Sequence, residues 1–267
     1  MIYVFLSHDV DWGKAGPPVS HILARRERFD EDILKNCESK NPYYNFPEYM
    51  EIEEKFRVRS TFFFRTYVKD AIYPPPPYHV EEYKEEIRSL LSGGWEIGLH
   101  LDPASCKSIK MIQKEKKALE DVARVPIYAN RVHYTMNNDL LHKNLEELSF
   151  KYDSSAKFNR EKIVDDDFGY FKKRKLVIFP ITIMDALIFY YNVKTEADVL
   201  RIIKYAINTC EKMRRKDKIV TLIWHVHSLK MKYGRKYSEV LEYMVSRKNL
   251  YIKRGVDLAN TIENEEI

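Results

Sequence analysis

One pattern limits the possible folds of this chain more than any other: short β-rich apolar runs alternate with longer segments of helical period from one end to the other. Parallel neighbours in a sheet need a crossover of a dozen or more residues, and a helix is the usual one. The strand candidates are Ile2 to Leu6, Ser60 to Phe64, Trp95 to Leu99, Ile127 to His133, Phe150 to Tyr152, Leu176 to Ile181, Ile219 to Trp224 and Leu250 to Lys253. Helical period fills the gaps over Val19 to Cys37, Pro47 to Phe56, Val80 to Leu91, Ile109 to Val122, Asn138 to Leu148, Thr195 to Arg214 and Tyr237 to Ser246. The expectation is an α/β fold, a distorted (β/α) barrel of about seven to eight strands. A single barrel commonly occupies about 250 residues, so the 267 residues are read as one domain, 1–267.

Composition serves mainly to exclude. Apolar residues make up 45% of the chain and charged residues 32%, which leaves enough core material to rule out disorder. The 45 basic and 40 acidic residues are interspersed, and the only basic runs are short, Lys172 to Lys175 and Arg214 to Lys218. A nucleic-acid footprint would be clustered, so no nucleic-acid partner is expected. Three cysteines without C-x-x-C spacing indicate neither a zinc knuckle nor a disulfide framework. Leu176 to Val193 is the most apolar stretch, but Pro180 and Asp185 interrupt it, so it reads as two buried strand-like pieces and not a membrane span. With no basic n-region ahead of Ile2 to Leu6 either, the expectation is a cytoplasmic chain with no membrane partner.

In a β/α barrel, chemistry gathers where strands end and loops begin. The first strand meets Asp9 and Asp11, two carboxylates at i and i+2 and hence on one side of an extended chain. The third ends at His100, with Asp102 two residues on. The fourth ends with Arg131 and His133 on one side, and the seventh with His225 and His227. An isolated histidine at a strand end is usually a surface or hydrogen-bonded residue, and His21, His79 and His142 are read that way. Carboxylates, imidazoles and a guanidinium at four strand ends together point to a metal site. Asp11, His100 and one more neutral imidazole would supply the mixed nitrogen and oxygen set of a catalytic zinc or similar divalent ion with an open water position.

Six segments, Ser7-His8-Asp9-Val10-Asp11, Ser60-Thr61-Phe62-Phe63-Phe64, Trp95 to His100, Arg131-Val132-His133-Tyr134, Tyr152-Asp153-Ser154-Ser155 and Ile223-Trp224-His225, resemble in order the motifs of the polysaccharide deacetylase (NodB-like) superfamily. The resemblance implies metal-dependent hydrolysis of an N-acetyl or related carbon-nitrogen bond. It implies Asp9 as general base, Asp11 and His100 as metal ligands, Arg131 as the residue that orients the base, and His225 as general acid, with Asp153 or Asp185 holding its imidazole charged. The usual second histidine ligand, four residues after the first, is here Ala104. His133 or Asp102 could fill that place; His133 is preferred because imidazole matches the missing ligand's chemistry, which leaves Asp102 behind the ligands. The tryptophan expected after Asp153 is absent. Tyr134, Trp12 and Tyr67 could present ring faces to a sugar. The implied cofactor is a divalent metal, zinc first, and the implied substrate an acetylated amino sugar. The alternatives are a deacylase of a non-sugar amide and a catalytically silent glycan binder.

Overall fold

The computed structural model describes residues 1–264. Ten strands form one sheet: β1 (Ile2–Val10), β2 (Thr61–Phe64), β3 (Glu96–Leu101), β4 (Ala129–Val132), β5 (Tyr152–Asp153), β6 (Phe171–Lys173), β7 (Leu176–Ile178), β8 (Ile183–Met184), β9 (Ile219–Ile223) and β10 (Leu250–Lys253). The sheet runs in the order β6-β7-β5-β4-β3-β2-β1-β9-β8, curling into a half-barrel, and every pair is parallel except the β6–β7 hairpin. The nine-residue β1 lies at its centre. Its first half pairs β10 on the edge where its second half pairs β2, while β9 runs along its other edge. Asp9 stands near the C-terminal end of β1, opposite Phe63 of β2, and Asp11 follows just past the strand.

The crossovers are α1 (Val19–Leu23), α2 (Glu31–Asn36), α3 (Phe46–Lys55), α4 (Lys84–Ser92), α5 (Ile109–Ala123), α6 (Asp139–Glu147), α7 (Tyr190–Asn192), α8 (Glu196–Lys212) and α9 (Tyr237–Val245), followed by α10 (Gly255–Asn264). Among the described residues no helix is long and apolar enough to cross a membrane. The larger core cluster joins the outer face of the sheet to these helices. Inside the curl, Phe5, Phe63, Tyr152 and Phe179 pack with Leu258, Ala259 and Ile262 of α10 and fill one end. Gly98 belongs to that filling: a Cβ there would lie 2.6 Å from the ring of Phe63. Ring burial of this kind is worth about 25 cal/mol per Å² of apolar surface removed from water.

The structure departs from the expected elements in several places, beginning with β6 and α10, which the expected elements lack. The segment Val19 to Cys37 is not one helix; it breaks at Phe29, which turns extended and is 2% exposed against Ile22, Tyr43 and Met231. Burying that ring outweighs continuing a short helix, which gains little alone. The second piece of the Leu176 to Val193 stretch is a two-residue strand that passes into a π-helical turn at Asp185. The fourth strand stops at Val132, and His133 begins a tight turn in which Tyr134 (φ 62°) and Thr135 (φ 56°) are left-handed.

Candidate active site

The period of two along β1 points Ser7, Asp9 and Asp11 the same way, and Arg131 of β4 lies across them. Its Nη1 donates to Asp9 Oδ1 at 2.7 Å and to Ser7 Oγ at 2.9 Å; Nη2 donates to Ser154 Oγ at 2.9 Å and Nε to the Ser154 carbonyl at 3.0 Å. The guanidinium lies over the ring of Phe63, 4.2 Å from its centre. Serine at 154, where the resemblance implies tryptophan, therefore grips the arginine. Burial pushes the Asp9 carboxyl up, but Arg131, His100 and His225 outweigh it and hold Asp9 below the usual carboxylate range. Asp9 Oδ2, not engaged by Arg131, faces His100 Nε2 at 3.8 Å and His225 Nε2 at 3.9 Å.

His100 pairs with Arg131 in the β3–β4 register, and its Nδ1 donates to the Arg131 carbonyl at 3.0 Å. That bond fixes the tautomer and leaves Nε2 with a lone pair. Nε2 lies 3.2 Å from Asp11 Oδ1, and both atoms are buried without a hydrogen-bond partner. His133 Nε2 is 4.0 Å from the same carboxylate oxygen. Burial pushes the His133 imidazole down to about 3, so at neutral pH it is in the uncharged form that binds metals. One ligand atom from each of Asp11, His100 and His133 lies within 4.8 Å of the others. Two imidazole nitrogens and one carboxylate oxygen, with His100 Nε2 and Asp11 Oδ1 buried and unpartnered, make a donor set that fits a divalent ion such as zinc.

His225 stands just past β9, on the far side of Asp11, with Nε2 at 3.5 Å from Asp11 Oδ2. Its Nδ1 pairs with Asp185 Oδ1, its backbone N–H donates to Asp185 Oδ2 at 3.0 Å, and Ser228 Oγ donates to the same oxygen. Burial would lower this imidazole, but Asp185, Asp11 and Asp9 raise it to about 10 and keep it protonated. Of the two proposed partners of His225, only Asp185 touches it. Asp153 instead accepts from Asn130 Nδ2 and Ser155 Oγ, both at 2.6 Å. Asp102 is committed elsewhere: its Oδ2 pairs with Arg65 Nη2 at 3.0 Å and its Oδ1 accepts from the Ala104 N–H at 2.9 Å.

The site opens into a cavity of about 900 Å³. Trp12, His21, Tyr43 and His227 form one wall of interlocking rings, with Trp12 to His21 at 4.8 Å and Tyr43 stacked on His227 at 5.2 Å. Tyr134, Tyr67, His79 and Pro74 to Pro77 form the opposite wall; Tyr67 stacks on His79 at 4.5 Å and Tyr134 donates to the Pro74 carbonyl. His79 is exposed, as expected, and also borders the cavity; His21 is half-buried in the cavity wall, and His142 is buried with neither ring nitrogen hydrogen-bonded, 3.8 Å from Asp153. Glu53 and Arg65 were not singled out in the sequence, although each left a signal there. Glu53 falls on the apolar stripe of α3 with Phe46, Tyr49 and Met50, and Arg65 directly follows the wholly buried β2.

No family model matches the chain, and no curated protein does. Solved structures do. A polysaccharide deacetylase structure from Mycobacterium smegmatis superposes with a TM-score of 0.67 at 18% identity, covering 100% of this chain and 91% of that one. The PuuE allantoinase gives 0.66 at 13% identity over 97% and 89%. A carbohydrate esterase family 4 pseudoenzyme from Bacillus anthracis gives 0.55 at 12% identity over 96% and 65%. The chain has the fold of the polysaccharide deacetylases.

Proposed function

We propose that this protein is a metal-dependent deacetylase that removes an N-acetyl group from an amino-sugar substrate. The observation that carries the reading is the convergence of Asp11, His100 and His133 between an arginine-held Asp9 and an aspartate-held His225, at the mouth of one cavity. Asp11, His100 and His133 would hold the ion, with Asp9 left outside the ligand set. When bound, a divalent ion supplies Lewis-acid polarisation of the scissile carbonyl and lowers the pKa of water. Asp9, ionised beside Arg131 and with Oδ2 turned into the site, accepts the proton of the attacking water. His225 donates a proton from Nε2 to the departing amine nitrogen, while Asp185 fixes its Nδ1 edge and stabilises the positive ring. The products are an amine and acetate. The ring faces of Trp12 and Tyr134 would lie against the sugar.

The test uses an acetylated chito-oligosaccharide, with acetate release and bound metal measured on the same samples. Asp9→Asn keeps the shape of the side chain but cannot take a proton, so metal should stay while turnover falls about a hundredfold to ten-thousandfold. Asp11→Asn should lose metal and activity together. If Asp9→Asn loses metal and Asp11→Asn keeps it, the two roles are exchanged. A wild-type protein that binds metal but releases no acetate would favour the silent glycan binder suggested by Ala104. Acetate released only from a non-sugar acetamide would favour the other alternative.

A further inference from the structure

Apart from Asp9 and Asp11, one carboxylate among the described residues, Glu82, lines the cavity, and its Oε2 is engaged by the Lys14 N–H at 3.2 Å. Three arginines, Arg25, Arg28 and Arg160, line the same space. Arg25 caps and Arg28 ends the 3₁₀ turn Arg26–Arg28, a geometry in which residues three apart share a side. Arg26, between them, is exposed and does not line the cavity. The turn is anchored: Phe29 is buried beside it, and the Lys232 N–H donates to the Arg28 carbonyl at 2.9 Å.

Among the described residues neither guanidinium has a buried acidic partner. Arg25 donates to the His21 carbonyl, at 3.2 Å, and Arg28 pairs with Glu27, at 3.6 Å, whose side chain is 67% exposed. The ring of Tyr190 lies 5.5 Å from the Arg28 guanidinium. Arg25 and Arg28 stand close enough to His21 and Tyr43 in the cavity wall to act on both rings, and beside a buried ring such as Tyr43 a field reaches further than it does in water. His21, among those rings, is held below its ordinary value by burial and by both arginines, as a positive potential at this wall requires. Arg160 adds a third charge at the exposed rim.

We propose that Arg25 and Arg28 form an anion subsite of the catalytic cavity, so that the amide substrate carries a carboxylate or a phosphate group. This inference rests on the deacetylase reading for the sugar and amide parts of the molecule, but not for its charge. Guanidinium groups suit either oxyanion, through paired N–H donors.

The experiment titrates the metal-loaded full chain, at low ionic strength, with N-acetylglucosamine, N-acetylglucosamine 6-phosphate and N-acetylmuramic acid, and follows acetate in the same samples. At least one anionic probe should bind roughly tenfold to a hundredfold more tightly than the neutral sugar, and the difference should shrink as salt is added. Arg25→Gln with Arg28→Gln should bring that probe down to the neutral level without changing the neutral sugar's binding, whereas the paired lysine substitutions should keep part of the preference. The favoured probe tells carboxylate from phosphate. Equal binding of all three probes, no binding of any, or a preference that survives the double glutamine variant overturns the proposal. A charge preference without acetate release leaves the subsite standing and removes the deacetylase reading; acetate release without a preference does the reverse.

Discussion

Position 104 carries alanine where the resemblance implies a histidine ligand, and an imidazole reaches the same donor cluster from His133, at the end of the neighbouring strand. The competing carboxylate, Asp102, is buried with Arg65. Turning it toward an ion would strand a guanidinium that is 1% exposed, and leaving such a charge unpaired costs roughly 3–5 kcal/mol. The two residues should therefore fail differently. His133→Ala should weaken zinc binding at least about tenfold, since even outer partners of metal ligands contribute that much. Asp102→Ala should instead lower stability by about 3–5 kcal/mol in urea unfolding while zinc affinity stays near wild type. The opposite ranking would move the ligand role to Asp102.

Strand β1 reaches the site in register with β9 because a buried network ties them. His8, one residue before Asp9, donates from Nδ1 to the carbonyl of Trp224, one residue before His225, at 2.6 Å. Its Nε2 meets Glu53 Oε1 at 2.8 Å, and that carboxylate also accepts from Ser60, Tyr237 and Trp95. Glu53→Ala removes the shared acceptor of Ser60 and Trp95 and leaves His8 Nε2 and the Tyr237 hydroxyl only each other, at 3.2 Å, so it should cost about 3–5 kcal/mol, measured as a shifted urea midpoint. Below the site, Glu96 of β3 accepts from Thr61 Oγ1 at 2.7 Å and from the Val256 N–H of α10 at 3.1 Å, and burial pushes its carboxyl up to about 7. A raised carboxyl means the native state binds the proton more tightly than the unfolded chain. Stability from this group therefore falls as pH rises from about 4.5 through about 7. Glu96→Gln should be the more stable protein at pH 8, by up to about 3 kcal/mol, with the gap closing near pH 4.5; identical pH profiles would contradict this. The strands were legible because β-rich runs bounded by helical period leave few alternatives, and the site histidines because they follow those runs. Glu53 and the choice between Asp153 and Asp185 were not, since a single sequence does not say which distant side chain meets a buried charge. The break at Phe29 was hidden for a related reason: its cause lies in contacts with Tyr43 and Met231. α10 shows the same dependence, since its apolar residues serve only to close the end of the curl.

Across the whole molecule the curled sheet divides labour between its ends. One end is filled by aromatic rings and sealed by α10, while the other is walled by loops around a cavity of about 900 Å³. The site draws on residues from Asp9 to His225, so no single segment carries it, and the chain's fold is shared with polysaccharide deacetylases, an allantoinase and a pseudoenzyme. The proposed activity requires that the three donors hold an ion. The most direct measurement is anomalous scattering from a crystal of the full chain soaked in zinc. One strong peak should lie about 2.0–2.2 Å from Asp11, His100 and His133, with Asp9 outside bonding distance. A peak coordinated by Asp102, or no peak between Asp11 and His100 at saturating zinc, would contradict this assignment.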